Sequence, residues 1–328
     1  VSLLVLVPIA VGSLARATAQ ARSEGEDSLF KHLSVFTEVL SLIQRSYVDE
    51  TSMDRLFAGA FEGTIDALDS LAAYVPGPAV ESYQEALSIG AGRSGLKIGR
   101  EAGISFVIGV EPGSPADASD LESGDVLTKV DGRPTPEIPL WELQILLAGD
   151  SKAVDLEILR RGQSQEKTLN LAPWERLRPI VESLDGVPIL RIAHLSEDSS
   201  EQVGALLTQP EVAQSGELIV DLRGIAGGNS EAAFAVAGLF LAGPLGDLRQ
   251  RGEVTQRFES DAPPRWIGRM AVLADGGSQG ASEILVATLK SLPGTEVIGT
   301  RTFGHAGRSA ARPVPNGATL FFTDSFYG

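Results

Sequence analysis

The chain contains no cysteine. Disulfides, thiolate metal sites and a cysteine nucleophile are therefore excluded. Histidine is almost as scarce: His32, His194 and His305 are the only three, and no two stand at i, i+4 or His-x-His spacing. The expectation is no metal site and no cofactor. Basic side chains are outnumbered, with 27 Lys and Arg against 43 Asp and Glu, giving a net charge of −16. Such a chain repels phosphate backbones, so nucleic acid is not an expected partner. Long apolar runs are also missing. The best candidate, from Val1 to Ala15, is shorter than the ~20 residues that span a bilayer.

That first run suits the apolar core of a signal peptide, with Ala-x-Ala options at Ala17–Ala19 and Ala19–Ala21. Residues 1–28 are accordingly expected to be a signal peptide or membrane anchor followed by a polar tether. The protein is expected to be exported to the cell envelope, in the periplasm or an equivalent extracytoplasmic space, with membrane anchoring as the second reading.

What is present points to a globular protein of more than one domain. The hydrophobic fraction is 43% over 328 residues, and a single core rarely grows past ~250–300 residues. Leu29, Leu33, Phe36, Val39, Leu40 and Ile43 recur at spacings of three and four, as on one helix face. Leu56, Phe57, Ala60, Phe61, Ile65 and Leu68 predict a second helix, stopped by Pro76-Gly-Pro78. Strands are expected at 104–110, 124–132, 154–160 and 167–171, with a helix at 140–147. After Pro173 strands near 187–192, 218–220 and 270–274 alternate with helices near 199–207, 230–241 and 281–292. That order argues for a layered α/β domain.

Two sets of motifs carry chemistry. In the middle of the chain, Val110-x-Pro-Gly-Ser-Pro-Ala116, Gly124-Asp125, Val130-Asp-Gly132 and the helix from Leu140 together resemble a PDZ domain. The resemblance implies a carboxylate-binding loop at Ser94-Gly-Leu-Lys-Ile98, with Gly95, Leu96, Lys97 and Ile98 as peptide-binding residues. Lys97 stands where that family keeps a small residue. Successive backbone N–H groups there form a nest for a terminal carboxylate, and a strand edge accepts an added peptide strand.

In the C-terminal half, Asp221-Leu-Arg-Gly-Ile-Ala-Gly-Gly228, Gly277-Ser-Gln-Gly-Ala-Ser-Glu283 and Gly299-Thr-Arg-Thr-Phe-Gly-His-Ala306 resemble motifs of the carboxyl-terminal processing (tail-specific) serine proteases. Asn316-Gly317 and Thr323-x-Ser325-x-Tyr327 continue the likeness, with Ile225 in place of the family's Asn. The resemblance implies a multidomain α/β fold. Residues 29–84 form a helical N-terminal segment, 85–172 a β-barrel-like PDZ module, and 173–328 a layered α/β protease core that stops short of the family's last segment.

Active members of that family use a serine nucleophile and a lysine base. The lysine must be held neutral to accept the hydroxyl proton. Carried over by position, the nucleophile falls at Gly280, the base at His305 and a supporting glutamine at Ser309. The catalytic set is therefore degenerate, while Gly227, Gly228 and Ala281 retain the positions of an oxyanion scaffold. The expected function is to bind polypeptide C-termini or unfolded tails without cleaving them. An active protease or another envelope protein is a further candidate partner. The alternative is an active serine endopeptidase that uses a displaced Ser278 or Ser282 with His305 as base.

Overall fold

The computed structural model describes residues 30–88, 93–149 and 152–328. The apolar run and tether expected over 1–28 lie outside them. The chain divides into two compact units, one ending at Phe61 and the other running from Glu62 to Gly328.

In the first unit a helix is described over 30–46. It is α1, and α2 begins at Met53 and runs on to Asp66 in the second unit. Phe36 and Phe57 approach with ring centroids 6.2 Å apart, and Phe57 stacks near Phe61 at 6.4 Å. Of the apolar face expected on α1, Leu40 is buried while Leu33, Phe36 and Val39 remain exposed. Among the described residues no helix is long and apolar enough to cross a membrane.

The second unit opens with β1 (Ala73–Val75) and α3 (Val80–Ser88). A sheet in the order β2-β3-β4-β6-β7 follows, with β5 paired to β4. Its strands are β2 (Leu96–Glu101), β3 (Ile104–Val110), β4 (Val126–Val130), β5 (Arg133–Pro134), β6 (Val154–Arg160) and β7 (Gln163–Leu169). A short α4 (Pro115–Ala118) starts at Ser114, whose side chain accepts the Asp117 N–H, and α5 (Leu140–Ala148) covers the sheet. Alternation explains the core. Leu156 and Ile158 of β6 point inward with Leu96, Ile98, Val107, Ile138 and Leu143, and all are buried. Asp125 of the Gly-Asp pair is fixed by Arg160, whose Nε and Nη2 each donate at 2.7 Å to its two oxygens. The last strand lies earlier than the sequence pattern suggests. It starts at Gln163 because Arg161-Gly162 makes the hairpin turn, with both residues at positive φ.

A buried arginine joins this sheet to the start of the unit. Arg100 donates to Ser105 Oγ at 3.1 Å and to the Thr135 and Ile138 carbonyls. Glu62 lies near it. Burial pushes the Glu62 carboxyl up to about 7, and neighbouring Asp66 adds to this, while Arg100 and a hydrogen bond with Trp141 oppose it. The folded chain thus holds a proton at Glu62 that the unfolded chain loses near the ordinary 4.5. The stability from that proton is complete below about 4.5 and disappears as pH rises through about 7. Glu62→Gln should therefore raise the thermal midpoint at pH 8 and leave it unchanged at pH 4. Parallel wild-type and variant melts across pH 4–8 test this, and identical pH slopes would contradict it.

The C-terminal part is built on a five-stranded sheet in the order β14-β13-β10-β9-β8. Its strands are β8 (Ile180–Leu184), β9 (Val187–Arg191), β10 (Glu217–Asp221), β13 (Arg269–Ala274) and β14 (Thr295–Gly299). All neighbours are parallel except β8, which is antiparallel to β9. Helices α6 (Ser199–Leu206), α7 (Pro210–Ala213), α8 (Ser230–Ala237) and α9 (Ala281–Lys290) occupy the connections. Leu190, Val220, Val272, Val236 and Leu285 are wholly buried in the shared core.

A second sheet contains β1, β11 (Gly243–Gln250), β12 (Glu253–Ser260), β15 (Gly307–Pro313) and β16 (Thr319–Tyr327). β1 pairs with β16, so the start of the unit is stitched to its end.

Candidate active-site region

The two glycine-rich motifs lie where parallel strands end. β10 runs into the loop 222–229 ahead of α8, and β13 runs into 275–280 ahead of α9. Adjacent parallel strands deliver both loops to one edge of the sheet, the usual place for a site in such folds. The loops touch through a parallel bridge between Ala226 and Gln279, and Gln279 N–H donates to the Ile225 carbonyl at 2.9 Å. One and two residues beyond the bridge come Gly227 and Gly228 on one loop, Gly280 and Ala281 on the other. Asp275 ties the loops from behind, its Oδ1 accepting the N–H groups of Gly224 and Gly277, each at 3.0 Å.

Gly280 caps α9 at φ +67° and ψ −114°, and a Cβ built there meets nothing within 4 Å. The backbone thus keeps the sharp strand-to-helix turn that presents a nucleophile in other hydrolases. Only glycine adopts this conformation without strain. There is room for a side chain, yet none is present.

Glu283 organises the surroundings. Its Oε2 accepts the Gly280 N–H at 3.0 Å and the His305 N–H at 2.9 Å, while Oε1 accepts the Gly304 N–H. One buried carboxylate therefore holds Gly280 and His305, the residues expected at the nucleophile and base positions, side by side. Gln279 adds a fourth tie, its Nε2 donating to the His305 carbonyl at 3.1 Å.

The His305 ring is turned toward β16. Its Nε2 lies 2.8 Å from Thr323 Oγ1, and the ring packs edge-on against Phe326 with centroids 5.7 Å apart. The absence of a side chain at Gly307 permits this, since a Cβ there would stand 3.2 Å from Nε2. Ser309 faces Thr323 in the β15–β16 register and is exposed. Gly280, His305 and Ser309, the three positions expected from the resemblance, are thus gathered in one place.

The two candidate serines are placed differently. Ser278 is fully buried, and its hydroxyl donates to the Leu222 carbonyl at 3.0 Å and accepts the Asp275 N–H at 3.1 Å. Ser282 is also fully buried, with its hydroxyl 2.8 Å from the Ile225 carbonyl and 3.2 Å from that of Gln279. Neither hydroxyl is hydrogen-bonded to His305. Both brace the loops against each other.

The oxyanion positions are more open. The N–H groups of Gly228 and Ala281 have no acceptor among the described residues, while that of Gly227 faces the Gln279 carbonyl in the parallel bridge. Gly228 has φ +107°, and a Cβ there would lie 2.7 Å from the Leu195 carbonyl oxygen. Ile225, in place of an asparagine, is 1% exposed and belongs to the apolar core beneath.

In the PDZ-like sheet, Leu96 and Ile98 of β2 face a cleft of about 40 Å³ against Leu147 and Ala148 of α5, with Ala86 and Leu87 of α3 along one wall. The Gly95 carbonyl accepts the Glu111 N–H at 2.8 Å, and Ser94 Oγ accepts the Leu96 N–H at 3.1 Å. Lys97 has a different environment. It pairs with Gly109 across the β2–β3 ladder, so both occupy the opposite face of the sheet. A Cβ at Gly109 would stand 2.3 Å from Ala226 Cβ and 3.1 Å from the Gly277 carbonyl oxygen. Lys97 thus lines the cleft through its place in β2, while its side chain shares a face with Gly109 next to the glycine loops. Sequence reasoning missed this, as well as Gln279, Asp275 and Thr323. Strand parity was the available signal for Lys97, and for Gln279 it was the departure from the family's alanine.

Comparison with known proteins agrees with this architecture. The model of Peptidase family S41 matches residues 186–327, and that of the PDZ domain matches residues 86–159. The carboxy-terminal processing protease CtpB of Bacillus subtilis is 24% identical over 317 residues, covering 94% of this chain and 65% of that protein. CtpA of the same organism is 23% identical over 304 residues, covering 90% of this chain and 64% of its own length. The chain thus spans just under two thirds of these curated relatives. Among solved structures, the photosystem II D1 C-terminal processing protease superposes with a TM-score of 0.70 at 20% identity, covering 89% of this chain and 87% of that one.

Proposed function

From the premise that this chain is a relative of the carboxyl-terminal processing proteases, with a PDZ domain ahead of a peptidase family S41 domain, we propose that it binds polypeptide C-termini and does not cleave them. The observation that carries this reading is Gly280. The turn that would present a nucleophile is built, held by Glu283 and unobstructed, and it carries no hydroxyl. The other substitutions agree. His305 is engaged with Thr323, and Ser278 and Ser282 are used up on main-chain carbonyls. The open amides at Gly228 and Ala281 still suit a carbonyl oxygen, so an extended chain has something to hold without an attacking group beside it.

In this reading the PDZ groove takes an apolar C-terminal residue, and the chain works outside the cytoplasm, exported by its N-terminal run. Its partners are protein tails, with an active protease or envelope protein as a further partner. The test is calorimetry of a hexapeptide ending in Val, as free acid and as C-terminal amide, with the peptide recovered and weighed by mass spectrometry. The expected result is tighter binding of the free acid and an intact peptide after overnight incubation. Equal affinity for the two forms would remove carboxylate capture, and fragments would remove the inactive reading.

A further inference from the structure

At the seam between the PDZ sheet and the S41 domain a cationic side chain is left without a bonded partner. Lys97 is partly buried, and none of the described hydrogen bonds or ion pairs involves its ammonium. Its ladder partner is Gly109, the residue whose Cβ would meet Ala226 and the Gly277 carbonyl. Glu111 is the acid whose charge it feels. That carboxylate is already engaged, because Arg176 Nε lies 2.9 Å from its Oε2 and His194 Nδ1 lies 3.6 Å from the same oxygen. Burial, reinforced by Arg176, holds His194 below the ordinary imidazole range, though Glu111 and Asp198 pull the other way. Two cationic side chains thus share one carboxylate in a protein with a net charge of −16.

An unpaired ammonium withdrawn from water is costly, and perturbed titratable groups of this kind cluster at functional sites. The place also suits a ligand. His194 precedes Leu195, whose carbonyl lies against Gly228 and accepts the Asn229 N–H at 2.8 Å. The cluster therefore borders the glycine pair.

We propose that Lys97, with the Arg176 and His194 that gather on Glu111, forms a receptor for a carboxylate of a polypeptide lying in the cleft. This site is on the face of β2 opposite the PDZ groove. The inference rests on the tail-binding reading and adds to it the group that holds the charge. An anion there would pair with Lys97 and offset the burial that now pushes its amine down.

The experiment uses the whole chain as wild type, Lys97→Met and Lys97→Arg. Each is titrated with an N-acetylated hexapeptide ending in Ser-Ala-Val in three forms: free acid, amide, and amide with Asp in place of Ser. Wild type should prefer the free acid to the plain amide by about tenfold or more, as a charge-assisted contact provides. Lys97→Met should reduce that to below about threefold, and Lys97→Arg should restore most of it. Tight binding of the Asp-containing amide, lost in Lys97→Met, would support the same site with a side-chain carboxylate as its ligand. A free-acid preference undiminished in Lys97→Met would overturn the receptor while leaving capture by the loop amides intact. No preference in wild type would remove both. Lys97→Met should melt no lower than wild type. A readout independent of the variants is reductive methylation of Lys97 in the wild-type chain. Protection by the free acid and not by the amide is expected, and equal labelling with both would overturn the proposal.

Discussion

Glu283→Ala should lower the stability of the second unit by about 3 kcal/mol, more than any other single truncation around the glycine loops. The carboxylate accepts three backbone N–H groups, from Gly280, Gly304 and His305, and is 8% exposed. Hydrogen bonds to a charged group contribute ~1.5–3 kcal/mol each, and water reaching the exposed Gly304 recovers part of the loss. For a unit of this size the midpoint should drop by roughly 6–12 °C. Glu283→Gln keeps one acceptor oxygen and should lose about half as much. The loss should also be local in origin, with hydrogen exchange accelerating first at the amides of Gly280, Gly304 and His305. An unchanged midpoint would mean that the carboxylate does not fasten the 303–305 loop to α9.

Much of this was legible in the sequence, for reasons that can be stated residue by residue. β6 matches the expected 154–160 because it alternates between core and surface, and β3 matches 104–110 as a short run of apolar residues buried at Val107, Ile108 and Gly109. The helices from Ser199, Ser230 and Ala281 begin where expected, and α8 has a side-chain cap at Asn229 that accepts the Ala232 N–H. The bridge between Ala226 and Gln279 brings the loops of the two glycine motifs together, a juxtaposition made by the parallel order of β10 and β13.

The β11–β12 hairpin was not legible. Residues of Glu253–Ser260 are nearly all exposed, so no apolar alternation marks the strand. Nor was α3, which follows directly on the Pro76-Gly-Pro78 stop. Chemistry written in side-chain direction was hidden as well. The sequence placed the Lys97 amide in a carboxylate loop but gave no sign of the neighbours its side chain meets beside Gly109. Ser278 and Ser282 look like spare hydroxyls in a motif, and only tertiary packing reveals them as braces to the Leu222 and Ile225 carbonyls.

The largest expected effect is on catalysis, which should be absent at any rate a protease assay can detect. Without an oxygen at Gly280 no acyl-enzyme can form there. Water alone, attacking a carbonyl held by the open amides, leaves only the ~10³–10⁴-fold acceleration seen when a serine protease loses a member of its triad. A working enzyme stands further above that by a factor on the order of 10⁶. His305 does not fill the gap. Its Nε2 is paired with Thr323, and the serine hydroxyls nearby point to carbonyls. Cleavage of an unfolded substrate should therefore be indistinguishable between wild type and His305→Ala, whereas an enzyme based on His305 would lose its activity. Ser278→Ala and Ser282→Ala should likewise change folding and not turnover. Ser278→Ala leaves the buried Leu222 carbonyl without its donor, at a cost of about 1–3 kcal/mol, and Ser282→Ala costs less because the Ile225 carbonyl keeps the Gln279 N–H.

Exposure to a serine-directed fluorophosphonate, with the intact chain weighed and any adduct mapped by peptide mass spectrometry, tests the claim at the centre of this account. The expected result is an unmodified chain after prolonged incubation at neutral pH. A stoichiometric adduct on Ser278 or Ser282, lost in His305→Ala, would show that the site is an enzyme after all.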